Sequence, residues 1–294
     1  MLDELFPPPF RIATPKSGER PLLVASPHSG RYYSEDFLAQ SRLPLCDLRR
    51  SEDCLVDVLI GNAVRHGFHT MAAHYPRAWL DLNREPFELD PMLFGPDLPE
   101  FANTRSERVM AGLGTIARIV ANGMAIYRSP PSLAEALERI ERIHRPWHLS
   151  ITHLLNALHL RHGWALLLDV HSMPSRAAMH LPDAGDPEMD FVLGDRFGQS
   201  ADPRITSLAE TLLTGRGYRV RRNVPYAGGY SIAHHAKPSR GLHGLQIEIN
   251  RALYLDERRF EPNEQFDATR DTLEALLEAF ARLDLSSSLG AAAE

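Results

Sequence analysis

Cysteine is nearly absent from the sequence, with Cys46 and Cys54 the only two among 294 residues. One disulfide is the most this permits, and there is no CxxC pair for zinc or redox chemistry. No apolar run approaches the roughly 18–20 residues needed to cross a bilayer, so no membrane partner is expected. The opening MLDELFPPPF places two acids ahead of its first base and holds no apolar stretch, which does not read as a secretory leader. An excess of base is missing too: 32 Lys and Arg stand against 38 Asp and Glu, a formal charge of -6. The densest basic run, Arg219-Val220-Arg221-Arg222, reads as a solvated strand end, and nucleic acid is excluded as the main partner. Nucleotide and hydrolase signatures are lacking as well. There is no P-loop and no GxSxG elbow. Gly112-Leu113-Gly114 is a lone GxG, and His144-Arg145-Pro146-Trp147-His148 has the spacing of a zinc helix without the Glu of HExxH.

What is present is the composition of a soluble globular chain, 44% hydrophobic and 24% charged, able to bury a sizeable core. A single cytoplasmic domain over residues 1–294 is expected, with an extended arm over 1–20 around Pro7-Pro8-Pro9 and a disordered tail over 285–294. Six apolar or β-rich runs read as strands: 21–29, 67–75, 163–172, 190–195, 217–223 and 244–251. The continuously apolar Leu166-Leu167-Leu168 suits a strand buried on both faces. Between the runs lie helical patterns. Ser132 and Glu135 form a capping-box signature ahead of Leu133, Leu137, Ile140 and Ile143, and Pro146 is expected to kink or end that helix near Arg145. A last helix over about 263–283 carries Phe266, Leu273, Leu276, Leu277 and Phe280 as its apolar stripe. Strands alternating with helices predict an α/β fold, a three-layer mixed sheet flanked by helices. The segment 77–130, rich in Pro, Gly and Asn, reads as an active-site insertion.

Histidine is abundant, with 14 copies, and position decides its meaning. His28, in Ser26-Pro27-His28-Ser29-Gly30, follows a strand in a turn that exposes an imidazole where α/β sheets bind ligands. His171 ends the run Leu166–Val170, with Asp169 on the same strand face by period-2 alternation, placed to orient the ring. A turn histidine and a buried Asp–His pair are the plain alternatives. His159, His162, His234 and His235 read as surface or loop histidines. Two histidines and a carboxylate are a common ligand set of catalytic zinc. The carboxylate candidates are Glu52, Asp53 and Asp57; the last two are i,i+4 and share a face if helical. Gln246, Glu248 and Asn250 form a polar face on an otherwise apolar strand, and a glutamate so placed suits the general base of a metal hydrolase. Arg77 and Arg84, around Asp81-Leu82-Asn83, can clamp a carboxylate or stabilise an oxyanion; surface ion pairing with Glu85 or Glu88 is the alternative.

Taken in order, SPHSG (26–30), LRRSED with VD (48–57), YPRAWLDLNREPFELDP (75–91), GLGTIARIV (112–120), LLLDVHSMPS (166–175), LGDRFG (193–198), NVPYAGGYS (223–231) and QIEINRALY (246–254) resemble the N-formylglutamate amidohydrolase family. That family is similar to the zinc-carboxypeptidase and aspartoacylase superfamily. The resemblance implies a zinc-carboxypeptidase-like fold with one Zn2+ per chain, or another divalent metal, held by His28, His171 and a carboxylate. The superfamily's H-x-x-E is broken here, since Arg31 stands three residues after His28; Asp53 is the expected ligand, with Glu52 in reserve. By the same resemblance Glu248 is the base, Arg77 polarises the acyl oxygen, and Asn83 and Arg84 hold the substrate carboxylate. Arg176 is the expected second carboxylate-binding cation, and Tyr230 a candidate supplied by a mobile Gly228-Gly229 loop. The implied reaction is hydrolysis of N-formyl-L-glutamate to L-glutamate and formate in histidine degradation. A deacylase for another small acidic N-acyl amino acid, or a carboxypeptidase-like hydrolase, is the alternative.

Overall fold

The computed structural model describes residues 7–120, 123–175 and 189–285. Seven strands form one sheet: β1 (Phe10–Ala13), β2 (Leu22–Ser26), β3 (His69–Ala73), β4 (Ala165–Met173), β5 (Phe191–Gly194), β6 (Val220–Arg222) and β7 (Leu242–Asn250). Six of them fall on the runs expected from the sequence. Their order is β1-β3-β2-β4-β7-β5-β6. The β2–β4, β4–β7 and β5–β6 pairs are parallel and β5–β7 is antiparallel, so the sheet is mixed as expected. β2 and β4 are buried along their whole length, the burial a strand needs when both faces are covered.

The chain forms two compact units. The second gathers Ile12–Ser26, Leu55–Met71 and the chain from Ile151 on. It holds β2 and β4–β7, together with the Ile12–Ala13 part of β1 and the His69–Met71 part of β3. The register within it is tight: Asp169 lies beside Gln246 and His171 beside Glu248. Because side chains alternate along a strand, these four share one face. The Tyr230–His235 helix packs on β4 and β7 on that face, where Ile232 meets Gly244. The Pro203–Gly215 helix packs on β5 and β6, and the Phe266–Ala281 helix packs on it in turn. In that last helix Phe266, Leu273, Leu276, Leu277 and Phe280 are all buried, the stripe read from the sequence.

The first unit comprises the chain up to Arg11, Pro27–Cys54 and Ala72–Ser150. Between Ala73 and Ala165 the described residues add no strand to the sheet; short helices such as Pro91–Phe94 and Glu107–Met110 come first, and a long helical stretch follows. The capping box is present: Ser132 accepts from the Glu135 backbone while the Glu135 side chain accepts from the Ser132 backbone. Of the two outcomes expected at Pro146, a kink or an end, the second does not occur. Leu133–Arg139 passes into a π-helical turn, Ile140–His144, and α-helix resumes over Arg145–His162. Proline has no N–H to give, so it fits the opening of a renewed α-helical stretch, where no i−4 partner is needed.

Candidate active site

In the first unit the turn after β2 is held by close backbone contact. A Cβ on Gly30 would come within 2.0 Å of the Tyr75 carbonyl oxygen, so only glycine fits. This seats His28, two residues earlier, in a buried position beside two carboxylates. Its Nε2 is 2.7 Å from Asp81 Oδ1, and its Nδ1 is 3.4 Å from Asp53 Oδ2. The Asp53 N–H also donates to the His28 carbonyl at 3.0 Å. Asp81 opens a tight turn, with Oδ1 accepting the Asn83 N–H at 2.9 Å. Its other oxygen is 2.6 Å from Arg77 Nη2 and 3.7 Å from Arg84 Nη2. Burial alone would raise the Asp81 pKa, but Arg77, Arg84 and His28 together hold it well below the usual carboxylate range.

Arg84 is largely buried. Its Nε donates to the Leu113 carbonyl at 2.9 Å and its Nη1 to the Asn83 carbonyl at 2.8 Å. Burial lowers its pKa, with Asp81 opposing that shift. The helix on the far side of the π turn braces the same stretch from behind. His144 Nε2 donates to the Arg84 carbonyl at 2.8 Å and His148 Nε2 to the Leu82 carbonyl at 2.9 Å. The pair with zinc-helix spacing therefore supports the DLNR backbone.

The two acids beside one another differ in their surroundings. Glu52 accepts from Tyr33 Oη at 2.7 Å and from Arg49 Nε at 3.1 Å. Burial and the Glu52 charge push the Tyr33 hydroxyl far above its ordinary pKa. Asp53 instead lies against His28. The helix that would carry Asp53 and Asp57 on one face does not form across both. It spans Val56–Leu59, and Leu55 ahead of it sits in the left-handed region at φ 62°, so only Asp57 is helical. Cys54 is buried and Cys46 exposed, both as free thiols.

In the second unit His171 Nε2 is 2.9 Å from Asp169 Oδ2, both side chains buried in β4, as the alternation implied. On the neighbouring strand Glu248 is buried and Glu248 Oε1 accepts from Gln246 Nε2 at 2.8 Å. Gln246 Oε1 accepts from the Gly229 N–H at 2.7 Å, so Gln246 ties the carboxylate to the glycine pair ahead of Tyr230. Tyr230 itself opens a helix, with its hydroxyl 3.2 Å from His234 Nδ1 and the two rings stacked. His235, expected at the surface, is buried on this helix near Thr152. Period-3.6 burial inside a six-residue helix leaves too short a pattern to read from sequence. Arg176 lies outside the described residues.

In the first unit His28 and Asp53 are a buried imidazole–carboxylate pair of the kind that can hold a metal ion, and in the second His171 is likewise a buried imidazole. Two imidazoles and a carboxylate match the chemistry of catalytic zinc. Sequence reasoning gave no role to Asp81 or Gln246. The signal for Gln246 was its place two residues before Glu248 on the same strand face; for Asp81 it was the Asp-x-Asn turn spacing.

The sequence profile of the N-formylglutamate amidohydrolase family matches residues 20–255. The chain belongs to this family. It is similar to N-formylglutamate deformylase of Pseudomonas aeruginosa, 29% identical over 273 residues that cover 90% of this chain and 94% of that protein. The Pseudomonas putida N-formylglutamate deformylase is 30% identical over 245 residues, 82% of this chain and 84% of that one. A solved structure, N-formylglutamate amidohydrolase from Ralstonia eutropha, superposes with a TM-score of 0.88 at 36% identity, covering 93% of this chain and 97% of its own. The family match contains every site residue named above. No helix of the described residues is long and apolar enough to cross a membrane.

Proposed function

We propose that this chain is a metal-dependent amidohydrolase that cleaves N-formyl-L-glutamate to L-glutamate and formate, a cytoplasmic step of histidine degradation. The observation that carries the reading is family membership over residues 20–255 together with two similar proteins named N-formylglutamate deformylase. His28, Asp53 and His171 are the proposed ligands of one divalent ion, zinc by preference, because all three are buried and their donors suit it. When bound, such an ion would supply a nucleophile by lowering the pKa of its water towards about 7, and would polarise the acyl oxygen.

The remaining chemistry belongs to the side chains. Glu248 takes one proton from the attacking water as its oxygen bonds to the formyl carbon, and returns that proton to the nitrogen as the C–N bond breaks. Its neighbour Gln246 holds the carboxylate in place through a 2.8 Å hydrogen bond. Arg77, anchored on Asp81, has five N–H donors in its fork and turns those not spent on the anchor towards the developing oxyanion. Asn83 and the Nη2 of Arg84 hold the α-carboxylate of the substrate. Tyr230 contributes to binding, and Arg176 is the proposed partner of the second carboxylate.

The test is formate release from N-formyl-L-glutamate by purified protein, with and without chelator, beside N-formyl-L-aspartate and N-acetyl-L-glutamate. Turnover that prefers N-formylglutamate and stops with chelator is expected. Folded, metal-loaded protein that releases formate or acetate from none of the three would overturn the substrate. Preference for N-acetylglutamate would make the chain a deacylase of another N-acyl amino acid.

A further inference from the structure

We infer that the apolar cluster of Met173, Met189 and Val192, covered by Tyr226, sets the size of the acyl group this site accepts and confines it to formyl. The inference deepens the proposed reaction at Glu248 and rests on it. It follows from the sheet register within the second unit. Glu248 on β7 has His171 beside it on β4 and Val192 beside it on β5. Residues paired across neighbouring strands share a face, so Val192 flanks the proposed base on the side away from His171. Met173, two residues beyond His171, lies on that face as well. Met173 and Met189 are 1% exposed and Val192 is 0% exposed; the three pack together, and the partly buried Tyr226 packs against them.

The strand that carries Glu248 also holds this wall, from both sides of the carboxylate. Two residues after Glu248, Asn250 Nδ2 donates to the Met189 carbonyl at 2.8 Å. Two residues before it, Gln246 accepts the Gly229 N–H at 2.7 Å, three positions past Tyr226. The Tyr226–Gly228 backbone is pressed onto β5, where a Cβ on Gly194 would come within 2.7 Å of the Ala227 carbonyl carbon and 2.8 Å of the Tyr226 oxygen. The Arg196 N–H donates to the Ala227 carbonyl at 2.8 Å, a further tie. The direction of the acyl group follows from what lies at each end. Tyr230, proposed above to bind substrate, opens its helix just past Gly229, at the Gln246 end of Glu248. Beyond its carbonyl a formyl group offers nothing to bond, so a binding tyrosine takes the amino-acid half. The acyl substituent then points to the Asn250 end, where Met173 and Met189 stand. In formyl that substituent is a hydrogen; in acetyl it is a methyl. A close-packed cluster holds no void for a methyl group, and forcing one in displaces side chains from their wells. A single methylene is discriminated about 10–200-fold in an apolar pocket.

The test compares N-formyl-, N-acetyl- and N-propionyl-L-glutamate on the full chain supplied with zinc, read in each case as L-glutamate released. Met173→Ala opens the larger space in the cluster and Val192→Ala the smaller, milder one. Leu213→Ala, which empties an equally buried position in the Pro203–Gly215 helix of the same unit, controls for loss of packing alone, and a thermal melt of each preparation verifies that it is folded. The expected result is kcat/KM for N-acetylglutamate relative to N-formylglutamate raised about tenfold or more in Met173→Ala and less in Val192→Ala, with N-propionylglutamate gaining in Met173→Ala alone. Leu213→Ala should keep the wild-type ratio within twofold whatever its Tm. An unmoved ratio in both cluster variants, folded and still active on N-formylglutamate, overturns the inference and leaves the substrate standing, whether or not their KM rises. Wild-type protein that cleaves N-acetylglutamate as fast as N-formylglutamate overturns it too. Wild-type protein that releases glutamate from none of the three sinks the proposed reaction itself, and the acyl-size limit with it.

Discussion

The residues proposed to carry the chemistry differ in how much of their placement could be read along the chain. His171 with Asp169, and Glu248 with Gln246, lie two apart on a strand, so period-2 alternation alone puts each pair on one face, and the contacts are 2.9 and 2.8 Å. The pairing of His28 with Asp81 spans 53 positions, and no local pattern reports it. The shared helix face of Asp53 and Asp57 failed for a local reason, the left-handed Leu55 between them, because periodicity assumes a helix that one backbone angle can interrupt. Glu248 also offers the sharpest functional prediction at this scale. Glu248→Gln keeps the size and the partner Gln246 but cannot accept a proton. Zinc content and substrate binding should stay near wild type while kcat falls about 10²–10⁴-fold, the usual contribution of a general base. Steady-state kinetics beside metal analysis checks this, and a near-normal kcat would remove Glu248 from that role.

At the scale of elements, the strand runs and the capping box were legible because they rest on local rules of alternation and N-terminal capping. The fate of the helix at Pro146 was not, since proline signals a break without saying whether helix resumes after it. The turn that seats His28 depends on an element far away in sequence, with Gly30 against the Tyr75 carbonyl. Gly30→Ala forces the two backbones apart. An overpacking cost of about 1–3 kcal/mol is expected, seen as a Tm lowered by several degrees, with turnover falling further because His28 moves with the turn. Thermal melts and formate release on the same preparation measure both. A Tm equal to wild type would refute the close approach.

For the molecule as a whole, alternating strands and helices implied an α/β fold, but the order in which strands pair follows from tertiary packing. The placement of antiparallel β5 beside β7 could not be read from spacing. Acid stability is another whole-molecule property with identifiable sources. Burial alone would raise the pKa of Asp195, but Asn223, the Gly198 N–H and Thr206 hold it below the ordinary 3.8; burial would likewise raise Asp190, and its hydrogen bonds and ion pair with Arg219 outweigh burial and lower it. Groups depressed in this way contribute stability that is complete above their unfolded pKa and lost as pH falls through the folded one. Tm should therefore be insensitive to these two acids above about pH 5 and fall below about pH 3.8. Asp195→Asn should show a lower Tm at neutral pH and a shallower decline in acid, by calorimetry across that range. An unchanged acid slope would show that other carboxylates carry it.

The π turn at Ile140–His144 has a consequence for how this chain tolerates length changes. A π turn holds one residue more than the α turn it replaces, and one residue rotates everything downstream by about 100° around the helix axis. His144 closes that turn and His148 lies one α turn beyond it, both pointing at the backbone carbonyls they serve. Because the π turn takes up that extra residue within itself, deleting one residue between Ile140 and Ile143 would give a regular α-helix that still aims His148 at Leu82, whereas deleting one between His144 and His148 would swing His148 off that carbonyl. Beyond the π turn the count of residues is thus part of the address that delivers an imidazole to its carbonyl.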